Sequence, residues 1–268
     1  MDLGSCIDIR DSHADTKAGK ICIKTSAMRR ALQAVLIFSA LTQHLLHSQV
    51  PTVDEVLQRF VSALGGEDEL EKIRTMTLRG TMDFPDFKAG GTTTEYFKYP
   101  DLFSAETEVH SHGSTKLVYD GHDGWQIDPR NGLTRVTGED LADIQRRANI
   151  HWNLRLHEFY PDIQVKSHQT VDGEDAWKLE ASLENSTFDF FSSTKTGLLI
   201  RFDTDQHVPN GISSVSISDY RRVGRVLFAF GAAQTAGAVK WTRKLTEVRF
   251  NEPIDDSIFL KPKQNGAN

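Results

Sequence analysis

The sequence predicts a mainly β protein: an antiparallel curled sheet or incomplete barrel of about eleven strands, with helices to plug or cover its concave face. Three observations predict it. From Thr75 onward the apolar residues recur with a period of two rather than 3.6. Tight-turn pairs punctuate the chain at Asp123-Gly124, Asn131-Gly132, Asp172-Gly173 and Thr196-Gly197. The few helical stretches cannot wrap such a sheet, but they suffice to plug or cover one face.

Composition narrows the function. The chain has 268 residues, a net charge of -6 and 25% charged residues, which suits one globular domain with appendages. An acidic balance without a long basic block argues against a nucleic-acid binder. The two cysteines, Cys6 and Cys22, both precede the main domain, so neither a disulfide framework nor a Cys-based zinc site is available to it.

The appendage comes first. Met28-Arg29-Arg30 gives a basic head, and Ala34 to Leu41 forms an apolar core of eight residues. A membrane-spanning helix needs about 20 apolar residues, and Gln43, His44 and His47 interrupt the run before that. An anchor or an amphipathic helix packed on the domain are the alternatives to a secretory signal, which the short core fits best. Residues 28–49 are therefore expected to be a signal peptide cleaved near Ser48-Gln49, leaving a periplasmic protein with no stable membrane span in its mature form. No Cys follows to carry a lipid. Residues 1–27 read either as a disordered extension or as leader translated upstream of a start at Met28. The main domain is expected over 50–262, and 263–268 reads as a disordered tail.

Within that domain, Thr52 and Glu55 form a T-x-x-E capping box for a helix placing Val53, Val56, Leu57, Phe60, Val61 and Leu64 on one face. Gly65-Gly66 ends it, and "EDELEKI" reads as a charged turn. Met76, Leu78, Met82 and Phe84 then alternate with polar residues along the first strand. Further strands read near 92–99, 102–111, 115–120 and 124–128. Thr137 is a candidate cap for "GEDLADIQRRA", where Leu141, Ile144 and Ala148 face one way, and "NIHWNLRLHEF" is a candidate continuation. Later strands align Trp177, Leu179, Ala181 and Leu183, then Phe188 with Phe190, then Leu198, Ile200 and Phe202. Next come Val215 with Ile217, and Val226, Phe228 and Phe230. In "VKWTRKLTEVRF" the apolar parity shifts between Trp241 and Val248, which predicts a bulge.

Candidate chemistry is sparse. His110 and His112 on a strand would point to one side and suit a metal, but no third ligand stands at useful spacing, so two solvent-facing histidines is the preferred reading. Glu252, Asp255 and Asp256 match no metal loop, and Asp256 is a candidate cap for a final turn. The acids of "DGHDGWQIDP" are accounted for by turn chemistry. Ser213, Ser214, Ser216 and Ser218 read mainly as a solvated strand face. No nucleophile elbow, phosphate loop, dinucleotide fingerprint or zinc-protease motif is present. The reading is a protein with no catalytic residue, no metal and no cofactor.

Four segments carry a family likeness. "VDEVLQRFVSALGGEDELEKIRTMTLRGTM", "DGHDGWQIDP", "TKTGLLIRF" and "LTEVRFNEPIDDSIFLKP", in this order, resemble signatures of LolA-like outer-membrane lipoprotein-sorting proteins. The resemblance implies a half-open antiparallel β-barrel, with helices as a lid covering its concave face, over an apolar cavity that carries lipoprotein acyl chains. The apolar stripes supply its candidate walls: Leu78, Met82, Phe84, Trp125, Leu141, Ile144, Trp177, Leu179, Phe188, Phe190, Ile200, Phe202, Phe228 and Phe230. The partners implied are a lipid or acylated lipoprotein cargo and transport partners at the inner and outer membranes, with the carrier a monomer. The alternative is a sensing or protein-binding module on the same fold. An enzyme is the remote third.

Overall fold

The computed structural model describes residues 50–208, 211–237 and 239–263. The expected extension, signal peptide and terminal tail (residues 1–49 and 264–268) lie outside the described residues.

Helix α1 (Val53–Leu64) starts on the capping box read from the sequence. The Glu55 N–H donates to Thr52 Oγ1 at 3.3 Å, and the Thr52 N–H donates to the Glu55 carboxylate at 2.8 Å. Gly65 ends the helix at φ 132°, where an added Cβ would lie 2.7 Å from the Arg225 carbonyl oxygen. The charged stretch that follows is a short helix, α2 (Glu67–Glu71), rather than a turn, because Leu70 gives it one buried contact.

All the strands of the described residues form one antiparallel sheet. The first meander holds β1 (Thr75–Phe84), β2 (Ala89–Lys98), β3 (Leu102–Val109), β4 (Gly113–Tyr119), β5 (Gly124–Asp128) and β6 (Gly132–Val136). The second holds β7 (Gln164–Val171), β8 (Glu174–Leu183), β9 (Ser186–Ser193), β10 (Leu199–Thr204), β11 (Ser213–Val223), β12 (Val226–Ala236) and β13 (Val239–Phe250). The spatial order is β6-β5-β4-β3-β2-β1-β13-β12-β11-β10-β9-β8-β7, so the first and last strands pair at the centre and the sheet stays open at β6 and β7.

The sheet has thirteen strands rather than about eleven. The two additional strands, β6 and β7, are its edges. Edge strands are held from one side only and tolerate polar residues such as Arg135, Lys166, His168 and Gln169, so they lack the apolar alternation that marks the interior strands. The predicted bulge is present in β13: Arg79 faces Glu247 while Gly80 faces Leu245, leaving Thr246 as the extra residue. A second irregularity, in β10, was not legible. It falls between Leu199 and Arg201 and turns Ile200 to the opposite face, against Val171, Ala176 and Phe191. Leu199 and Phe202 join the main core instead, which corrects the alignment of Leu198, Ile200 and Phe202 on one face.

Between the meanders, helix α3 (Gly138–Ala148) crosses the concave face. Thr137 occupies the cap position in extended geometry, but its hydroxyl makes no capping bond. The helix stops at Asn149, and the expected continuation is a 3-10 turn (Trp152–Leu154) followed by a short helix, α4 (Leu156–Phe159). His151 fixes this segment by donating from Nε2 to the Ile73 carbonyl at 2.9 Å. The main core lies between helices and sheet. Val56, Phe60 and Leu64 of α1, Ile144 and Ala148 of α3, and Leu156 of α4 pack with Leu78, Phe97, Phe103, Leu179, Phe190 and Val248. Each large side chain so buried stabilises the fold by roughly 1.5–3 kcal/mol.

Candidate functional site

The concave face and its helical cover form the candidate site. β1 pairs with β2 in one unbroken register, so Met76, Leu78, Gly80, Met82 and Phe84 share that face. On β2 the same face carries Thr93, Glu95 and Phe97. Glu95 therefore sits in an otherwise apolar row, between Leu78 of β1 and Ala105 of β3, with its side chain only 5% exposed.

Two guanidiniums hold it. Arg243 of β13 donates from Nη1 to Glu95 Oε1 at 2.7 Å, and Arg147 of α3 approaches Oε2 through Nη2 at 3.1 Å. Burial alone would raise the Glu95 pKa. The charges and hydrogen bonds of Arg147 and Arg243 outweigh it, and the carboxyl is held below its ordinary value of 4.5. Arg243 starts two rows further out, opposite Met82. The β1 position between is Gly80, which puts no side chain in its way, and a Cβ there would overlap the Lys244 carbonyl. Arg147 also lies over the Phe103 ring, 4.9 Å from its centroid. Nε of Arg243 is buried and has no hydrogen-bond partner.

Further polar contacts hold the cover. His207, in the β10–β11 loop, places Nε2 2.9 Å from Oδ2 of Asp143 on α3. Asp143 also accepts from Arg146, whose guanidinium lies 5.8 Å from the Phe188 ring centroid. His157 of α4 meets Asp54 of α1 at 2.9 Å.

The predicted wall residues separate into three groups. Leu78, Ile144, Leu179, Phe188, Phe190 and Phe230 are buried in the main core. Met82, Phe84, Leu141, Trp177, Phe202 and Phe228 are half-buried. Trp125 and Ile200 face away from the helices. It is Gly124 that faces α3, since its added Cβ would lie 3.1 Å from Leu141 Cδ1, whereas Trp125 is covered by Lys261, with Nζ 3.9 Å from its ring centroid. A tryptophan beside a glycine gave the wrong parity because the C-terminal segment supplies its cover from the other side.

Two cavities lie elsewhere. One of about 700 Å³ is walled by the β8–β9 turn and the β10–β11 loop, including Ser186, Asp205, His207 and Ile212. The other, of about 250 Å³, lies among Arg79, Tyr96, Arg249 and Pro253 on the opposite side of the sheet. None of the predicted wall residues lines either cavity. Sequence reasoning missed Glu95, Arg147 and Arg243. The available signal was a carboxylate in step with Phe97 on a strand.

The other candidates are structural. β3 ends at Val109, so His110 and His112 lie exposed in a turn rather than on a strand, with His112 Nδ1 3.0 Å from the His110 carbonyl. No group of three metal-ligating side chains occurs among the described residues. Asp255, not Asp256, caps the final turn, accepting from the Ser257 N–H at 2.9 Å. Glu252 pairs with Arg249, and Asp256 with Lys98. Asp120 and Asp128 each accept two backbone N–H bonds in their own turns. Ser214 and Ser216 bond Arg201 and Asp172, while Ser213 is buried and accepts from Gln234.

The fold defines a class, the open antiparallel half-barrel. Two solved structures share it. A LolA superfamily protein from Nitrosomonas europaea is 13% identical, with a TM-score of 0.55 over 79% of this chain and 99% of that one. A DUF1329 family protein from Desulfovibrio piger is 13% identical, with a TM-score of 0.54 over 79% of this chain and 98% of that one. The chain thus has a LolA-like fold. No protein-family model and no curated protein matches its sequence. No helix among the described residues is long and apolar enough to cross a membrane.

Proposed function

We propose that this chain is an exported, periplasmic carrier that shelters a lipid or the acyl chains of a lipoprotein between its concave face and its helical cover. One observation carries the reading: within the cover, α3 buries only Ile144 and Ala148 and is fastened by polar clasps, from Arg147 to Glu95 of the apolar face and from Asp143 to His207 of the β10–β11 loop. Such a seam can part without dismantling the sheet. An acyl chain entering it is held by area burial, at about 25 cal/mol per Å², and no catalytic residue is required. In this reading residues 28–49 are the export signal, cut near Ser48-Gln49. Partners at the inner and outer membranes load and unload a monomeric carrier.

The test is uptake of a fluorescent acyl probe by delipidated protein. Saturable uptake is expected. Phe84→Asp, at a half-buried position, should weaken it about tenfold or more, the equivalent of one lost apolar side-chain contact. Folded protein that takes up no probe would refute the carrier reading.

A further inference from the structure

Beyond the clasp, the concave face continues outward as a half-buried shelf. Met82, Arg243, Ala232 and Ile217 form one row across β1, β13, β12 and β11. The next row out holds Trp241, Gln234 and Val215, with Phe84 following Met82 along β1. All of these are half-buried, and Met82, Phe84, Trp241 and Val215 lie outside the main core. The shelf is apolar apart from Gln234, whose amide donates to Ser213, and its inner end, where the two guanidiniums converge.

The charge there does not balance. Arg147 and Arg243 carry two positive charges against the single negative charge of Glu95. The nearest acid on α3, Asp143, is already engaged by Arg146 and His207. A guanidinium has five N–H donors, and Glu95 engages one nitrogen of each. Arg243 keeps a buried Nε without an acceptor, a costly state for a donor. Arg147 is 49% exposed and open to a second anion. A carboxylate suits the two planar forks and brings the cluster to neutrality. A doubly charged phosphate monoester would leave a negative charge uncompensated in a half-buried site.

We propose that this shelf binds a single-chain amphiphile with a carboxylate headgroup, its acid on Arg147 and Arg243 and its chain along Met82, Phe84 and Trp241. The assignment rests on the carrier reading and adds the headgroup to it. A ligand acid that competes with Glu95 for Arg147 weakens the Glu95–Arg147 contact, so binding also loosens the fastening of α3.

The test compares dodecanoate with 1-dodecanol by calorimetry on the purified chain. Dodecanoate should bind about tenfold or more tightly, the range of hydrogen bonds to charged groups. That ratio should collapse toward one in Arg147→Gln. A ratio within one preparation is not mimicked by a partly unfolded variant. A ratio near one in the wild type, or one kept in Arg147→Gln, would overturn the headgroup assignment and leave the carrier reading standing. Folded protein that binds neither compound would overturn both.

Discussion

At the scale of single residues, Glu95 carries the most consequence, because its position between Leu78 and Ala105 would ordinarily be filled by an apolar side chain. A buried carboxylate persists only when paired, and here two guanidiniums from different elements pair it. Removing its charge leaves both cations without their counter-ion. Glu95→Gln should therefore cost about 3 kcal/mol in urea denaturation at neutral pH, the lower end for breaking a buried ion pair. The pH dependence has a fixed sign. The folded-state pKa is lowered, so the stabilisation is present above the ordinary carboxyl value of 4.5 and is lost as pH falls through the folded-state value. The wild type should lose stability in that acid range more steeply than Glu95→Gln. Parallel acid profiles for the two proteins would remove the pair from the stability of the seam.

At the scale of elements, α1 and α3 cover the same face on different terms. α1 buries Val56, Phe60 and Leu64 and is capped at both ends. α3 buries only Ile144 and Ala148, has no side-chain cap, and depends on Arg147 and the Asp143–His207 contact. Local opening follows the smaller apolar contact. In hydrogen exchange the α3 amides should be labelled before those of α1, and His207→Ala should speed α3 alone. Equal rates would mean that the cover moves as one body. The contrast between the helices is half-legible in the sequence. Thr52 with Glu55 announces a capping box through local spacing, and the shift between Trp241 and Val248 announces a bulge through local parity. Glu95 could not announce its partners, since Arg243 lies 148 residues away and Arg147 is on another element. The turn of Ile200 to the back face and the cover over Trp125 likewise depend on chain that is distant in sequence. Local pattern reveals which face of a strand is apolar, whereas the assignment of that face to core, shelf or back depends on what folds over it.

At the scale of the whole molecule, the order of the strands decides how stability is shared. Each meander is built from sequential hairpins, and each could be imagined folding by itself. The pairing of β1 with β13 joins them, bringing Thr75 to Glu252 across 177 residues. That long closure is costly in chain entropy and is offset only once both meanders are in place, which makes the central pair the source of cooperativity. Leu245 sits at this joint, 3% exposed, opposite Gly80 and beside the bulge. Leu245→Ala should lower stability by about 2–5 kcal/mol, as for a buried leucine whose surroundings relax only partly. If β13 couples the halves, the variant and the wild type should each unfold in one transition, with tryptophan fluorescence and far-ultraviolet circular dichroism coincident. Trp125 reports on the first meander, and Trp177 and Trp241 on the second. Two separated transitions in the wild type would show that the meanders are independent units and that the joint only aligns them.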